Sequence, residues 1–355
     1  MKIRTQLFAI LIASAVPGLA SGQILWNTAN GNLGTSTNWN PNTPITTTGQ
    51  TWNIANGGTA TVDNGNDYTL TLISSTGFYV GNTGGSGTLI LNGNGKLTVT
   101  GGNMSIGQGS GGGAGSVILN GTSHLTTGSL FIGHRATGTL TVNSGTQVSS
   151  STFNISTGST GGNGTVNLYG TLNVSGTTDT SIRLGSSPQN TQGTLNIYAG
   201  SSLTSAGGLT TSNVNGPYAI NMNGSGSTFS LAKNLIANNA STTFSFLADE
   251  DGITTISSGM GISIGGAALK LNLDAYTGSD NLVLFSGSSI TGTFASIDWL
   301  GSTQGTLMYG ADSIYIVVPE PSTAMFFGIG LFAIAMTRST RRRAQRNPVH
   351  GDTAI

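Results

Sequence analysis

Charged side chains, which polysaccharide lyases and hydrolases use as acids and bases, are few and scattered in the central part of the chain. Such chemistry needs clustered acids, or calcium-binding aspartates beside an arginine or lysine base. Between residues 58 and 233 the charged residues are Asp63, Asp67, Lys96, Arg135, Asp179, Arg183 and Lys233. They do not recur at one position of a repeat, so we predict no paired-carboxylate site and no catalytic residue.

Three other patterns bear a formal likeness to catalytic or phosphate-binding motifs. His124 and His134, the latter followed by Arg135, fall at turns where solvated side chains are expected. Residues 261–265 match Gly-x-Ser-x-Gly, but the segment continues as a strand, whereas a nucleophile elbow needs a strand, a sharp turn and a helix. The glycine-rich residues 107–113 are followed by no helix, so they do not form a phosphate loop.

Asp249, Glu250 and Asp251, followed by Gly252, form the one acidic cluster. A calcium ion prefers such oxygen ligands but needs about six of them in a fixed geometry. Three adjacent acids in a turn usually face water. We therefore predict no metal and no cofactor, with calcium at Asp249 to Asp251 as the alternative.

The composition excludes several classes of protein. The 355 residues include 12 basic and 12 acidic side chains and no cysteine. Seven of the basic residues lie near the termini, which leaves five against ten acids between residues 23 and 317, a net charge of −5. No basic patch is available for nucleic acid, and disulfides, thiolate catalysis and zinc-cysteine sites are excluded.

Short segments beginning with glycine recur through the body of the chain. The clearest copies start at Gly87, Gly115, Gly138, Gly164 and Gly193, with weaker copies at Gly58 and Gly216. Successive starts differ by 23 to 29 residues, and repeats of this length indicate a solenoid or an array.

Each repeat contains three short runs of alternating apolar and polar residues, separated by asparagine and glycine turn signals. In the copy at Gly87 the apolar pairs are Leu89/Leu91, Leu97/Val99 and Met104/Ile106. This pattern predicts an all-β fold, a parallel β-helix (solenoid) over residues 58–240 with three strands per coil. A meander or sandwich of hairpins is the alternative.

The two ends of the body differ from these repeats. Residues 23–57 contain Trp26, Trp39 and Trp52, which we expect to form an N-terminal cap; sugar stacking on these tryptophans is the alternative. Residues 241–317 contain strands of unequal spacing, which predict a small antiparallel β domain. With the Gly-Thr-Leu repeats and the segment Gly-Thr-Phe-Ala-Ser at residues 292–296, this layout resembles the autotransporter-associated β-repeat proteins of Verrucomicrobia and Planctomycetes.

Both termini have the composition of targeting segments, each predicted to include a short hydrophobic helix. Residues 1–22 combine Lys2 and Arg4, an apolar stretch and small residues, as in a secretory signal peptide. Residues 318–346 combine a polar motif, a 13-residue apolar run from Ala324 to Met336 and a basic stop, and residues 347–355 form a tail. The apolar run is shorter than the roughly 20 residues that span a bilayer. The basic stop consists of Arg338, Arg341, Arg342, Arg343 and Arg346.

This C-terminal order resembles the PEP-CTERM sorting signal of Gram-negative bacteria. The motif residues are Val318, Pro319, Glu320, Pro321 and Ser322. The resemblance implies handling by the secretion machinery and by an exosortase, a membrane-embedded, cysteine-dependent enzyme that cuts near the motif. It also implies an inner-membrane intermediate held by the C-terminal segment, and then a location at the cell surface or outside the cell.

Two classes of function follow. The first is a non-catalytic surface or extracellular-matrix protein, with the envelope or exopolysaccharide as the expected further partner. The second is a carbohydrate-active β-helix enzyme, a polysaccharide lyase or hydrolase. The lack of clustered acids favours the first class.

Overall fold

The structure, a computed structural model, describes residues 22–109, 112–158, 161–185, 191–212 and 216–318. One short 3-10 helix, Ser36–Asn38, lies among strands. The strands are β1 (Gln23–Trp26), β2 (Asn30–Asn32), β3 (Trp39–Asn40), β4 (Thr51–Ile54), β5 (Thr59–Val62), β6 (Asp67–Thr71), β7 (Gly77–Val80), β8 (Gly87–Leu91), β9 (Lys96–Ile106), β10 (Gly115–Leu119), β11 (His124–Ile132), β12 (Thr137–Val142), β13 (Gln147–Ile155), β14 (Asn163–Leu168), β15 (Thr171–Val174), β16 (Ile182–Leu184), β17 (Gln192–Tyr198), β18 (Ser202–Ser205), β19 (Leu209–Thr211), β20 (Tyr218–Asn223), β21 (Thr228–Leu231), β22 (Leu235–Ile236), β23 (Thr242–Leu247), β24 (Ile256–Ser258), β25 (Gly261–Ser263), β26 (Ala268–Asn272), β27 (Leu282–Ser286), β28 (Ser289–Thr291), β29 (Ser296–Trp299), β30 (Thr306–Tyr309) and β31 (Ser313–Val317).

These strands form three faces in succession, repeated for about ten turns. One face is an eleven-stranded sheet made of β2, β5, β8, β10, β12, β14, β17, β20, β23, β26 and β29. The twenty-stranded sheet supplies the other two faces, which we call its first leg and its second leg. Its first leg contains β6, β15, β18, β21, β24, β27 and the first halves of β9, β11 and β13; its second leg contains β1, β4, β7, β16, β19, β22, β25, β28 and the second halves of β9, β11 and β13. Successive coils pair in parallel, which confirms the predicted β-solenoid and decides against a sandwich of hairpins.

The predicted apolar pairs fill the interior of the solenoid. In the coil that begins at Gly87, Leu89, Leu97 and Met104 have no exposed surface, and their partners two residues on are equally enclosed. Alternate side chains of a strand point to opposite faces, so each three-strand coil sends about six side chains inward. Each such burial stabilises the fold by about 1.5–3 kcal/mol, but only while a neighbouring coil covers it.

The repeated glycine marks the point where the start of one coil touches the backbone at the end of an earlier coil. Gly87, Gly115, Gly138, Gly164 and Gly193 stand in one register column of the eleven-stranded sheet. A Cβ atom at Gly115 would collide with the carbonyl oxygen of Val80, and one at Gly87 with that of Ile54. In the next coil Tyr218 pairs with Gly193 and takes the glycine's place, so the weak copy read from Gly216 starts two residues early.

Asparagine ladders connect the coils on the outer surface of the eleven-stranded sheet. Asn221 Nδ2 donates to Asn196 Oδ1 (2.7 Å), and Asn196 Nδ2 donates to Asn167 Oδ1 (2.8 Å). A second ladder runs through Asn92, Asn120 and Asn143 with bonds of 3.0 and 2.7 Å. The middle amide of each ladder, Asn196 or Asn120, both donates and accepts, so the chain of bonds repeats the backbone pairing in the side chains.

The N-terminal end is closed by tryptophans packed edge to face. The ring centroids of Trp26 and Trp39 are 4.9 Å apart, and those of Trp39 and Trp52 are 4.8 Å apart. All three are at most 2% exposed, and Trp39 Nε1 donates to Leu33 O. Sugar stacking on these tryptophans is therefore wrong, because their ring faces are buried in the core. The strands of this region also belong to the solenoid, since β1 and β4 pair in parallel.

The C-terminal end of the solenoid lies further along the chain than we predicted. Parallel pairing continues past residue 240 through β23, β26 and β29, and beyond that residue antiparallel strand pairing is confined to β31 with β27 and with β30. The motif Gly-Thr-Leu is lost there, but Phe244 and Phe246 occupy the same inward positions. The antiparallel part is thus a terminal closure rather than a domain that begins at residue 241.

The predicted signal peptide, residues 1–22, and the segments beyond Val318 lie outside the described residues, apart from Gly22. This applies to both predicted hydrophobic helices. Within the described ranges, no helix has the length and apolar character needed to cross a membrane.

Two glycines of the same register column provide a test of the coil contact. Gly115→Ala should destabilise the solenoid by about 2–3 kcal/mol, because the added methyl group meets a fixed backbone carbonyl. Gly193→Ala is the matched control, since its nearest neighbour would be a ring atom of Tyr218 at 3.3 Å. Denaturant unfolding should separate the two variants; equal midpoints would contradict the role given to this glycine.

Candidate functional site

The sorting motif begins where the folded body ends. The last strand, β31, lies between β27 and β30 and is antiparallel to both. Ile314 and Ile316 are fully buried and Val318 is 7% exposed, so the chain is held in the core up to the motif's first residue. The remaining motif residues, Pro319, Glu320, Pro321 and Ser322, and the five arginines of the basic stop lie outside the described residues.

The order of residues at this junction leaves no linker between the body and the motif. Pro319 and Pro321 have no backbone N–H, so neither can donate a ladder bond to a neighbouring strand. Within the described residues, pairing ends at Ile316 with β27 and at Val317 with β30. An enzyme that cuts near Pro319 must approach the closed end of the solenoid itself.

A second feature of functional interest is a column of outward-pointing residues, one from each coil, on the second leg. One residue per coil points outward between two buried ones, as Arg183 does between Ile182 and Leu184. We call this register column the grooved column. It consists of Leu25, Asn53, Tyr79, Ser105, Phe131, Asn154, Arg183, Thr210, Ile236, Ser263 and Thr291. No member is acidic, in a body that carries twice as many acids as bases.

Three cavities lie along the grooved column. One, of about 450 Å³, is lined by Leu25 and Asn53. The next, of about 470 Å³, is lined by Arg183 and Thr210, and a third, of about 280 Å³, is lined by Ser263. Cavities of this size are typical of sites that take small molecules or single units of a polymer.

Arg183 is the charged group of the middle cavity. Its side chain is half-buried, and among the described residues it has no hydrogen-bond or ion-pair partner. The surrounding polar groups are already ordered, because Asn239 Nδ2 and Thr242 Oγ1 both donate to Thr211 Oγ1 at 2.8 Å. The guanidinium therefore has N–H donors that no described residue of the chain accepts.

Phe131 and Tyr79 lie two and four rungs from Arg183, next to His134 and Arg135. Phe131 packs edge to face on the His134 ring at 4.9 Å. Burial lowers the pKa of His134 and the nearby Arg135 lowers it further. Burial also raises the pKa of Tyr79, against the opposing effect of Arg135. At neutral pH this part of the column thus holds a neutral imidazole, a neutral phenol and one exposed cation.

The structure does not bring the other predicted candidates together. His124 starts β11 on the first leg, whereas His134 follows the end of β11 on the second leg. Residues 261–263 form β25, as predicted, and Ser263 Oγ donates to Asn238 Oδ1 at 2.6 Å. Its other neighbour, Thr291 Oγ1, is 3.0 Å away, so the hydroxyl is engaged by an amide and a second hydroxyl rather than by a base.

The acidic turn at Asp249 connects two coils. One carboxylate oxygen accepts from Ser225 N (2.7 Å) and Ser225 Oγ (3.1 Å), and the other accepts from the N–H groups of Asp251 and Gly252 (both 3.1 Å). In the part of the chain that the structure describes, no group of three or more histidines, cysteines or acids is placed to hold a metal. The Asp249 carboxylate is used as a tie to the preceding coil.

This tie makes a pH-dependent contribution to stability. Partial burial raises the pKa of Asp249, but the hydrogen bonds from Ser225, Asp251 and Gly252 outweigh it and lower the pKa overall. The contribution is complete above the ordinary carboxylate range near pH 4 and is lost as the pH falls through the lower pKa of folded Asp249.

Asp249→Asn should therefore be less stable than wild type at pH 7, and the difference in stability between the two proteins should narrow in acid. Chemical unfolding across pH 2 to 7 checks this, with Glu250→Gln as control; a gap independent of pH would contradict it.

The comparisons with known proteins bear on the C-terminal end. The model of the PEP-CTERM protein-sorting motif matches residues 317–343, from the last residue of β31 through the first four of the five arginines. The searches of curated proteins and of solved structures gave no match, so the likeness of the body to autotransporter-associated repeats stays a prediction. The chain therefore carries a PEP-CTERM sorting motif, which implies that the protein is exported, passes through a membrane and is processed by an exosortase.

Proposed function

We propose that this protein is a non-catalytic component of the cell surface or extracellular matrix, which associates with the envelope or with exopolysaccharide. The observation that carries the proposal is the direct succession of a closed β-solenoid and the sorting motif, without a linker. About ten coils stacked roughly 4.8 Å apart make a rod about 50 Å long. Since the motif leaves from one end of the rod, a tethered molecule would extend the other end away from the membrane.

The composition of the body supports a role in contacts rather than in catalysis. The outer face of the eleven-stranded sheet carries rows of hydroxyl groups, including Thr88, Ser116, Thr139, Thr165 and Thr194 in one register column. Without cysteines, the fold depends on core burial and on ladders of hydrogen bonds. Neutral hydroxyl and amide surfaces suit many weak contacts with hydrated polymers.

A polysaccharide lyase or hydrolase is the second candidate, favoured by the cavities and the free guanidinium of Arg183. Against it stands the absence of an acidic side chain anywhere on the grooved column.

The purified exported protein should leave the chain length of polygalacturonate unchanged. Depolymerisation that disappears on changing Arg135 or Arg183 would replace our proposal with this one.

The sorting step can be tested at the C-terminus. Mass spectrometry of wild-type protein from the cell surface and medium should find chains that end near Pro319 to Pro321 and lack the five arginines. Replacing residues 319–321 by three alanines should leave the full C-terminus to Ile355 and hold the protein in the membrane fraction. Replacing residues 347–349, which lie outside the matched motif, is the control and should change neither result. An intact Ile355 in both wild-type fractions, with the location unaltered by the motif change, would refute the proposal.

A further inference from the structure

We propose that the grooved column binds a linear acidic polysaccharide laid along the solenoid axis, with the carboxylate of one sugar unit on Arg183. This inference rests on the proposed function and names the class of polymer. Its basis is the combination of shape, charge and unsatisfied donors on one face of the rod.

The shape of the column is set by side chains of alternating size. Tyr79, Phe131 and Arg183 stand on every second rung, and the smaller Ser105 and Asn154 lie between them. Two rungs measure about 9–10 Å, which is on the scale of a disaccharide unit of an extended chain. The raised residues therefore bound shallow depressions that repeat with the period of such a polymer.

The smaller residues form the floor of these depressions. Ser105 is 3% exposed and Asn154 is 9% exposed, whereas the large side chains on either side are only half-buried. Aromatic side chains such as Tyr79 and Phe131 present flat, rigid contact area at a low cost in conformational entropy. A sugar ring resting on the floor would thus be held from the sides by aromatic surface.

The charge of the column selects an anion. Arg135 and Arg183 are the two arginines between residues 23 and 317, and both belong to this face, one on the column and one beside it at His134. The whole body repels a polyanion through its net charge of −5, so attraction has to be local. A guanidinium fork pairs with a carboxylate through two parallel hydrogen bonds, and Arg183 has both of them to give.

The rest of the middle cavity suits the hydroxyl groups of a sugar. Thr210, Asn238 and Asn239 line it together with Arg183, and Ile236 adds an apolar wall. Hydroxyl and amide groups at the edge of a cavity fix orientation, while the charged residue supplies most of the discrimination. The described strands of the eleven-stranded sheet carry no arginine, although their outward face offers rows of hydroxyls.

Binding of polygalacturonate to the purified protein tests the inference, with the fully methyl-esterified polymer as its neutral counterpart. Wild-type protein should bind the acid form at least tenfold more tightly than the ester. Arg183→Gln should weaken binding of the acid form about tenfold, as expected for a lost charge-assisted pair. Lys270→Gln is the matched control: it removes the same charge from an exposed position on β26, and it should change the affinity less than twofold.

Two further variants distinguish the loss of a binding contact from the loss of the folded structure. Arg183→Lys keeps the charge but not the fork and should fall between wild type and Arg183→Gln. Phe131→Ser leaves the charge unchanged and should weaken binding severalfold through lost ring contact. Thermal unfolding of each variant establishes that it is folded before affinities are compared.

Equal effects of Arg183→Gln and Lys270→Gln, equal binding of acid and ester, or no binding at all would overturn the inference. These results are distinguishable from failure of the proposed function. Arg183→Gln should still be exported and processed like wild type at the C-terminus. A surface-located protein that ignores polygalacturonate refutes the polymer assignment alone, whereas a wild-type protein that is never exported refutes the proposed function and leaves the binding measurement valid.

Discussion

The structure depends on one constraint: a coil of three short strands cannot bury its own inward side chains. Leu89 or Met104 is shielded from water only by the coils before and after it. Stability is therefore a sum over neighbouring contacts rather than the property of one central core. The glycine column follows directly, because close stacking brings the backbone carbonyl of Val80 to the place where a side chain of Gly115 would stand.

The same constraint explains why both ends of the rod are aromatic. The first coil has no predecessor, and Trp26, Trp39 and Trp52 close the space that a preceding coil would fill. At the other end Phe285 and Phe294 pack on Phe244, and Tyr309 contacts Phe294. Large rings cover much apolar surface with few residues. Reversal of strand direction at β3 and at β31 accompanies each closure, so that neither end simply offers another parallel rung.

The sequence predicted the interior of this fold better than its surface or its limits. Alternation at Leu89/Leu91 or Val166/Leu168 has a physical cause, the two-residue period of a strand, and it therefore reveals which side chains point inward. The outward column could not be predicted, since the corners between strands differ in length and the alignment of Tyr79 with Phe131 and Arg183 depends on them. Its members were nevertheless visible in the sequence as the single residues that separate the two members of an apolar pair. The extent of the solenoid was underestimated because Phe244 and Phe246 fill the inward positions without the glycine that marks earlier coils.

The position of β31 has a mechanical consequence. Any pull on the chain beyond Val318 reaches the body through β31, which is hydrogen-bonded on both sides, to β27 and to β30. Tension along a strand paired on both edges loads its cross-strand bonds together, in shear, instead of opening them one after another. The pulling force of a tether would thus be shared between two neighbours and passed from β27 into β24 and the coils behind it. The final strand of the fold is in this sense the attachment point of the rod, and its two partners determine how much drag the rod can withstand before it begins to unravel.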